Sequence, residues 1–288
     1  MSAHILSGTA ARDALIPALI ERVKRLSYIP TLAIIQVGDR PDSTSYIRSK
    51  KLFAKKVGVA EKHIQASEGI SQAELTKIIQ ECNADALIQG IIVQLPLPSH
   101  LNRDETIDAI DPRKDVDALT SYRIGRWQKD QHALLPATAR GVKELLAYYD
   151  ISLAGKKVCV IGRSKLVGEP IAAMCRNGGA TVAVCHSKTP DISAETLQAD
   201  VVIAAVGKPG LIQARHVKPG QTIIDVGINT VKGEKLEEEI GGRKLVGDAD
   251  FEGIKDIVVA ITPVPGGVGP MTVLGLFENL IDLCENRG

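Results

Sequence analysis

Apolar runs alternate with amphipathic segments along the first half of the chain. The runs at 31–37 and 86–94 predict buried strands, and a short strand is expected near Ile64. The amphipathic pattern predicts helices over 10–26, 43–57, 71–83, 102–110 and 138–149. Ser71 and Glu74 form a capping box that opens the third of them. Because mostly apolar strands alternate with helices, the pattern predicts a parallel sheet covered on both faces.

A second series of the same kind begins near residue 155. Apolar strands are predicted at 156–162, 180–185, 200–207, 222–228 and 256–261, with helices between them and a last helix from Pro270. The segment 111–122 is expected to be a polar loop. The sequence therefore predicts an α/β protein with two αβα domains and a cleft between them. The first covers 1–138, with helix 270–288 packing back on it, and 139–269 forms a Rossmann-type dinucleotide-binding domain.

Composition narrows the class of protein. The chain has 288 residues, and 35 basic against 34 acidic residues give a net charge of +1. This balance argues against a nucleic-acid or membrane-surface binder, which needs a basic excess. The five cysteines show no metal-ligand spacing, so we expect no metal site, no disulfides and a reducing compartment. The apolar runs are too short for a membrane span, and the first residues do not resemble a signal peptide, which predicts a cytoplasmic protein.

A glycine-rich turn follows the first strand of the second series. Gly162 and Gly168 bracket Arg163, Ser164 and Val167 just before a predicted helix. A strand, a glycine turn and a helix N-terminus together cradle a pyrophosphate, because unpaired N–H groups point at it. The spacing is not G-x-G-x-x-G, and the alternative is a purely structural turn.

The end of the next strand distinguishes two cofactors. Enzymes that bind NAD usually carry an acidic residue there, which binds the ribose 2′-hydroxyl. Here the strand ends in Cys185, His186, Ser187 and Lys188, with Arg163 in the preceding turn. Hydrogen-bond donors and positive charge suit a 2′-phosphate, so NADP is favoured over NAD. The alternative is a solvated basic loop.

Several polar residues in the first half are candidates for catalysis. Tyr46 and Lys50 are one helical turn apart, and a lysine in a dry cleft loses its proton near neutral pH. Spacing alone favours a solvated basic helix, because other cations crowd that segment. Gln94 follows an apolar strand, at the end where crevices open. Asp115 and Asp117 either face that crevice or cap a turn.

Eight stretches resemble one family, that of the bifunctional methylenetetrahydrofolate dehydrogenase/methenyltetrahydrofolate cyclohydrolases. They are VGDRPDSTSYIRSK (37–50), GIIVQLPLP (90–98), DPRKDVDAL (111–119), GRSKLVGEP (162–170), CHSKT (185–189), IDVGIN (224–229), GDADF (247–251) and TPVPGGVGPMT (262–272). They occur in the family's order across nearly the whole chain. The resemblance implies NADP-dependent oxidation of 5,10-methylenetetrahydrofolate to the methenyl form and hydrolysis of that form to 10-formyltetrahydrofolate.

The resemblance also implies roles for individual residues. Lys50 is the implied catalytic lysine, with Tyr46 against the folate and Gln94 keeping Lys50 neutral and in place. Asp117 is expected to bind the pterin edge, and the backbone of the last glycine-rich segment is expected near the substrate. That segment contributes Pro265, Gly266 and Gly267. The implied NADP-binding residues are Gly162, Arg163, Ser164, Val167, Gly168, His186, Ser187, Gly207 and Ile228. A homodimer formed through the cofactor domain is expected.

Some positions depart from the family pattern. Ala118 stands where the family has glycine, Arg123 where asparagine is usual, and Ala137 and Ala139 replace a cysteine and a proline. Leu52 replaces a second lysine. None removes an implied catalytic group, but Ala118 is expected to alter the loop that carries Asp117. Two alternatives stay open on the sequence: a monofunctional NAD(P) dehydrogenase of the same shape, and a non-catalytic nucleotide sensor.

Overall fold

The computed structural model describes residues 2–129, 133–232 and 243–286. It divides the chain into two compact units. The six-stranded unit comprises Met1–Ala14 and Thr138–Thr272, and the three-stranded unit comprises Leu15–Ala137 and Val273–Gly288.

Helices and strands alternate through both units. The strands are β1 His4–Ile5, β2 Thr31–Val37, β3 Ala60–Ala66, β4 Gly90–Val93, β5 Lys157–Ile161, β6 Thr181–Cys185, β7 Val201–Ala204, β8 Thr222–Asp225, β9 Asn229–Lys232, β10 Arg243–Val246 and β11 Ala260–Ile261. The helices are α1 Gly8–Arg25, α2 Pro41–Val57, α3 Gln72–Ala84, α4 Arg103–Asp108, α5 Ser121–Trp127, α6 Ala137–Tyr148, α7 Gly168–Asn177, α8 Ile192–Gln198, α9 Phe251–Ile254 and α10 Val268–Glu285. No described helix is both long and apolar enough to cross a membrane.

The three-stranded unit is built on a parallel sheet of order β3-β2-β4. Ser71 caps α3 in the predicted capping box, and α3 buries Leu75 and Ile79 in the core of the unit. Gly90 lets the sheet approach its neighbours closely, since a Cβ there would lie 2.5 Å from Val116 and 2.7 Å from Leu280 of α10. The C-terminal part of α10 therefore packs on this sheet.

The six-stranded unit has the order β1-β11-β8-β7-β5-β6, and every pairing is parallel. From the central strand β5 the chain moves outward to β6, and it then returns to place β7, β8 and β11 on the other side of β5, with β1 at the far edge. That reversal is the topological switch point of a Rossmann-type sheet. The predicted fold class of an α/β protein with such a second domain is confirmed.

The structure differs from the predicted elements at three places. Residues 1–14 group with the six-stranded unit rather than with the first domain, because β1 pairs with β11. The predicted polar loop 111–122 leads into α5, which Thr120 caps and which buries Trp127. Strands β9 and β10 form an antiparallel pair that the apolar pattern did not reveal, since few of their residues are hydrophobic.

Candidate active site

A buried lysine lies at the centre of the candidate site in the three-stranded unit. Helix α2 places Tyr46 and Lys50 one turn apart, and the Lys50 side chain is largely buried although Arg48 beside it is exposed. Lys50 Nζ donates a hydrogen bond of 2.7 Å to Oε1 of Gln94. Gln94 Nε2 in turn donates to the Leu95 carbonyl at 2.8 Å, which orients the amide oxygen toward the lysine.

The electrostatics of this lysine favour its neutral form. Burial lowers the pKa of Lys50 below its usual value, because the ammonium loses its hydration, and the negative charge of Asp117 opposes this in part. Burial raises the pKa of Asp117 to about 6, with Lys50 opposing the shift and Asp115 adding to it. The site therefore places an amine whose pKa is lowered beside a carboxylate that is ionised at neutral pH.

The two aspartates of the loop after α4 have different surroundings. Asp115 is buried, and its Oδ2 accepts a hydrogen bond of 2.8 Å from the Thr120 backbone N–H. Asp115 therefore anchors the turn, whereas Asp117 interacts with the charge of Lys50. The contacts of Asp115 are those of a turn-capping residue, whereas the position of Asp117 near Lys50 is compatible with the predicted role in substrate binding, which stays a prediction.

Two departures from the family pattern lie in or against this loop. Ala118 is buried and has a φ of +54°, a left-handed conformation that glycine adopts without strain. Arg123 donates from Nε and Nη2 to the Pro112 carbonyl, at 2.9 and 2.5 Å, and so holds the start of the loop against α5. No role was predicted for Arg123 from the sequence. The feature that could have indicated one is its place in the first turn of α5, just after the capping residue Thr120.

The predicted glycine turn in the six-stranded unit is tightly packed. Gly162 has a φ of +121°, and a Cβ on it would lie 2.2 Å from the Ala205 carbonyl oxygen. A Cβ on Gly168, the first residue of α7, would lie 2.2 Å from the Gly162 carbonyl oxygen. Ser164 Oγ accepts hydrogen bonds from the backbone of Val167 and Gly168, at 3.2 and 3.3 Å. Arg163 is exposed. The turn and the start of α7 together form a compact cradle at the carboxyl end of β5, the place where a Rossmann-type sheet binds a pyrophosphate.

The loop after β6 lies against this turn. The Gly162 N–H donates to the Cys185 carbonyl at 2.9 Å, which joins the two segments. His186 is folded onto its own loop, where its Nδ1 accepts from the Lys188 N–H at 3.1 Å. Ser187 and Lys188 are exposed, and the loop has no carboxylate up to Thr189. These residues fit a phosphorylated ribose better than a free 2′-hydroxyl.

The remaining predicted residues lie at the carboxyl edge of the same sheet. Gly207 follows β7 with a φ of +65°, and Ile228 follows β8 with its side chain 40% exposed. Pro265 is exposed, Gly266 has a φ of +94°, and Gly267 is buried just before α10. The substrate role of these last three residues stays a prediction.

Two buried carboxylates of this unit were missed in the sequence. Asp225 ends β8 and Asp248 follows β10, and both are nearly inaccessible to solvent. Gly227 follows Asp225 closely, and Gly247 directly precedes Asp248. This pairing of aspartate with glycine at strand ends is the sequence feature that could have indicated the two buried carboxylates. In residues 2–129, 133–232 and 243–286, no group of three or more His, Cys, Asp or Glu side chains is arranged to hold a metal ion.

Comparison with known families gives matches over both units. Residues 6–117 match the catalytic domain of tetrahydrofolate dehydrogenase/cyclohydrolase, and residues 136–288 match its NAD(P)-binding domain. A relative from Geobacillus thermodenitrificans, the bifunctional protein FolD, is 42% identical over 99% of this chain and 98% of its own length.

Solved structures agree with this result. The bifunctional FolD enzyme, a methylenetetrahydrofolate dehydrogenase/cyclohydrolase, from Campylobacter jejuni is 40% identical with a TM-score of 0.92, and 100% of each chain is covered. The FolD enzyme of Trypanosoma brucei, solved with NADP cofactor and an inhibitor, is 33% identical with a TM-score of 0.93. It covers 100% of this chain and 99% of its own.

Proposed function

The chain belongs to the tetrahydrofolate dehydrogenase/cyclohydrolase family, and from that premise we propose which of its residues perform the two reactions. It oxidises 5,10-methylenetetrahydrofolate to the 5,10-methenyl cation with NADP, and it hydrolyses that cation to 10-formyltetrahydrofolate. The observation that carries the assignment is the buried Lys50 amine, held by Gln94 and electrostatically coupled to Asp117.

Lys50 is the proton acceptor of the hydrolytic reaction. Water adds to the methenyl carbon and passes a proton to the Lys50 amine, because the lowered pKa of Lys50 increases the fraction of amine that can accept it. The bond from this carbon to N5 then breaks while the C=O bond of the formyl group forms. The remaining hydroxyl proton is transferred to N5, Lys50 later releases its proton to solvent, and 10-formyltetrahydrofolate remains. Gln94 fixes the Lys50 amine by accepting a hydrogen bond from it. One N–H group of Lys50 is thereby directed at Gln94 and away from the reacting carbon.

The folate is held by residues around this amine. Asp117, ionised above about pH 6, accepts two N–H bonds from the amino-pyrimidine edge of the pterin, as a carboxylate with two oxygens does well. Tyr46, on the same helix face as Lys50, lies against the ring system. The backbone of Pro265, Gly266 and Gly267 is the further proposed substrate contact.

NADP accepts the hydride in the dehydrogenase reaction, and the six-stranded unit supplies its site. The cradle of Gly162, Ser164, Val167 and Gly168 binds the pyrophosphate at the start of α7. Arg163, His186 and Ser187 lie where the adenosine ribose is expected, and they bind the 2′-phosphate. Gly207 and Ile228 follow β7 and β8, where the nicotinamide end is expected.

Replacing Arg163 by Ala tests the 2′-phosphate assignment. A lost charge-assisted hydrogen bond raises the KM for NADP about tenfold while the KM for NAD changes about twofold or less. Steady-state kinetics of the dehydrogenase with each cofactor measure the two values. Arg176→Ala, an exposed cation at the far end of α7, is the matched control and leaves both values unchanged. Equal effects of Arg163→Ala on NADP and NAD would show that Arg163 does not recognise the phosphate.

The proposed compartment of the enzyme is the cytoplasm. The enzyme forms a homodimer through the edge of the six-stranded sheet. Strand β6 is an edge strand whose Val182, Ala183 and Val184 are only half-buried, and an apolar strand edge is a surface that pairs readily. Sedimentation analysis is expected to give twice the chain mass of 30.8 kDa. Val182→Lys lowers this mass toward that of one chain, whereas Val259→Lys, at an exposed valine away from β6, does not. A single-chain mass for the wild-type enzyme would contradict the dimer.

A further inference from the structure

The carboxylate of Asp248 is surrounded by hydrogen-bond donors from two loops of the six-stranded unit. Its Oδ2 accepts from the backbone N–H groups of Val206 and Gly207, at 2.7 and 3.0 Å. Its Oδ1 accepts from the Lys208 N–H at 2.7 Å and from Nδ2 of Asn229 at 2.9 Å. Asp248 is fully buried. Three consecutive backbone N–H groups that converge on one anion form a nest, and without the anion they would be left without partners.

A second buried carboxylate fixes Asp248 itself. Asp225 Oδ1 accepts from the Gly227 and Asp248 N–H groups, and its Oδ2 accepts from the Ala249 N–H, at 2.7 to 3.0 Å. The packing leaves no space for side chains beside these carboxylates. A Cβ on Gly227 would lie 2.2 Å from Asp248 Cγ, and a Cβ on Gly247 would lie 1.9 Å from Asp225 Oδ2. The two carboxylates therefore act as one rigid support.

The two loops that Asp248 joins are those after β7 and β8. One carries Gly207, and the other carries Ile228 next to Asn229. In the strand order β8-β7-β5-β6, the adenosine half of the cofactor belongs to β5 and β6. The nicotinamide half then belongs to β7 and β8, across the switch point. The carboxylate thus sets the backbone geometry of the half-site that receives the reactive ring.

We propose that Asp248 is a positioning residue for the nicotinamide half of NADP, because it holds the loops after β7 and β8 in one arrangement. This inference rests on the proposed function and adds a residue to it. The contribution is indirect: Asp248 is buried beneath the loops and fixes the backbone that contacts the cofactor. Hydride transfer depends on the alignment of the ring, so a loosened loop affects both binding and turnover.

The test is Asp248→Asn, which keeps the side-chain shape but turns an NH₂ group toward two of the donors. Calorimetry on the full-length protein compares NADP with adenosine 2′,5′-bisphosphate, which has the adenosine half and its 2′-phosphate but no nicotinamide. We expect NADP to bind about tenfold more weakly, with affinity for the bisphosphate changed about twofold or less. The kcat of the dehydrogenase falls as well, while hydrolysis of the methenyl substrate is retained.

Asp250→Asn is the matched control two residues away. Asp250 caps α9, where its Oδ1 accepts from the Gly253 N–H, and asparagine caps helices equally well. Unchanged NADP affinity in Asp248→Asn, with only a lower Tm, would overturn the inference. Equal weakening of NADP and the bisphosphate would overturn it too, because it would indicate a general loss of the unit. Calorimetry needs no turnover, so a failure of the proposed dehydrogenase activity would appear separately, in the wild-type kinetics.

Discussion

Lys50→Met abolishes the hydrolysis of 5,10-methenyltetrahydrofolate, with a loss of about 10²- to 10⁴-fold in rate, the usual contribution of a general base. Methionine fills a similar volume in the buried site but has no group that accepts the water's proton. The assay follows the disappearance of the methenyl chromophore, and calorimetry checks that NADP still binds. When the variant is given methylenetetrahydrofolate and NADP, the methenyl product accumulates instead of being consumed.

Lys51→Met is the matched control. Lys51 is the next residue of α2, but its Nζ lies 3.5 Å from the Glu61 carboxylate and not beside Gln94. We expect the hydrolysis rate to change about twofold or less, because an exposed ion pair contributes little. Unchanged hydrolysis in Lys50→Met, or equal losses in the two variants, would remove Lys50 from the mechanism.

The pH dependence of hydrolysis reports on the same site. The pKa of Asp117 is raised to about 6, so its carboxylate becomes ionised as the pH rises through that value. Folate binding by the carboxylate therefore improves in the same interval, and kcat/KM increases. The lowered pKa of Lys50 adds to this increase, because more of the amine is neutral at higher pH. In Asp117→Asn the rise in kcat/KM near pH 6 disappears. If the rise persisted in this variant, it would have to come from the titration of another group.

Gly168→Ala strongly weakens NADP binding and so lowers the rate of the dehydrogenase reaction. The added methyl group would lie 2.2 Å from the Gly162 carbonyl oxygen and 2.9 Å from the Arg163 nitrogen, both of them backbone atoms of the cofactor cradle. Since these atoms cannot move without opening the turn, we expect NADP binding to weaken by about two orders of magnitude. The overpacking is also expected to lower the free energy of unfolding by roughly 1–3 kcal/mol. Dehydrogenase kinetics and NADP calorimetry measure the first effect, and thermal unfolding measures the second.

Hydrolysis of the methenyl substrate, which depends on Lys50 rather than on the cofactor turn, is expected to persist in this variant. Gly125→Ala provides the control, because a Cβ at that position in α5 meets no atom within 4 Å. Alanine is also the better helix former, so Gly125→Ala leaves both activities and Tm unchanged or slightly higher. Full NADP affinity in Gly168→Ala would show that the turn does not form the pyrophosphate site.

The main-chain architecture followed from the sequence because it depends on local pattern. The run at 31–37 is β2, the Ser71 capping box opens α3, and the strand series after residue 155 is the Rossmann-type sheet. Strands whose residues are mostly polar, such as β9 and β10, were not predicted, because their sequences show no hydrophobic periodicity. The short β1 was missed because its place is set by pairing with a strand more than 250 residues away.

The chemistry of the site was only partly present in the sequence. The motifs identified Lys50, Gln94 and Asp117 through a family resemblance, whereas their spacing alone favoured a solvated basic helix. Burial by the surrounding fold is what lowers the pKa of Lys50, and no local pattern encodes the atoms that remove its water. In the same way, the hydrogen bond from the Thr120 N–H engages Asp115 and not Asp117, which their spacing in the sequence did not indicate.

By itself the sequence determined the strands, the helices and the glycine positions that need unusual backbone geometry, because these depend on neighbours along the chain. The tertiary structure decided which polar groups lose water and which donors converge on one oxygen, because those depend on residues far apart in sequence. Asp248 shows the difference: its donors at 206–208 and 229 come from two other segments, and a motif containing Asp and Gly does not specify them.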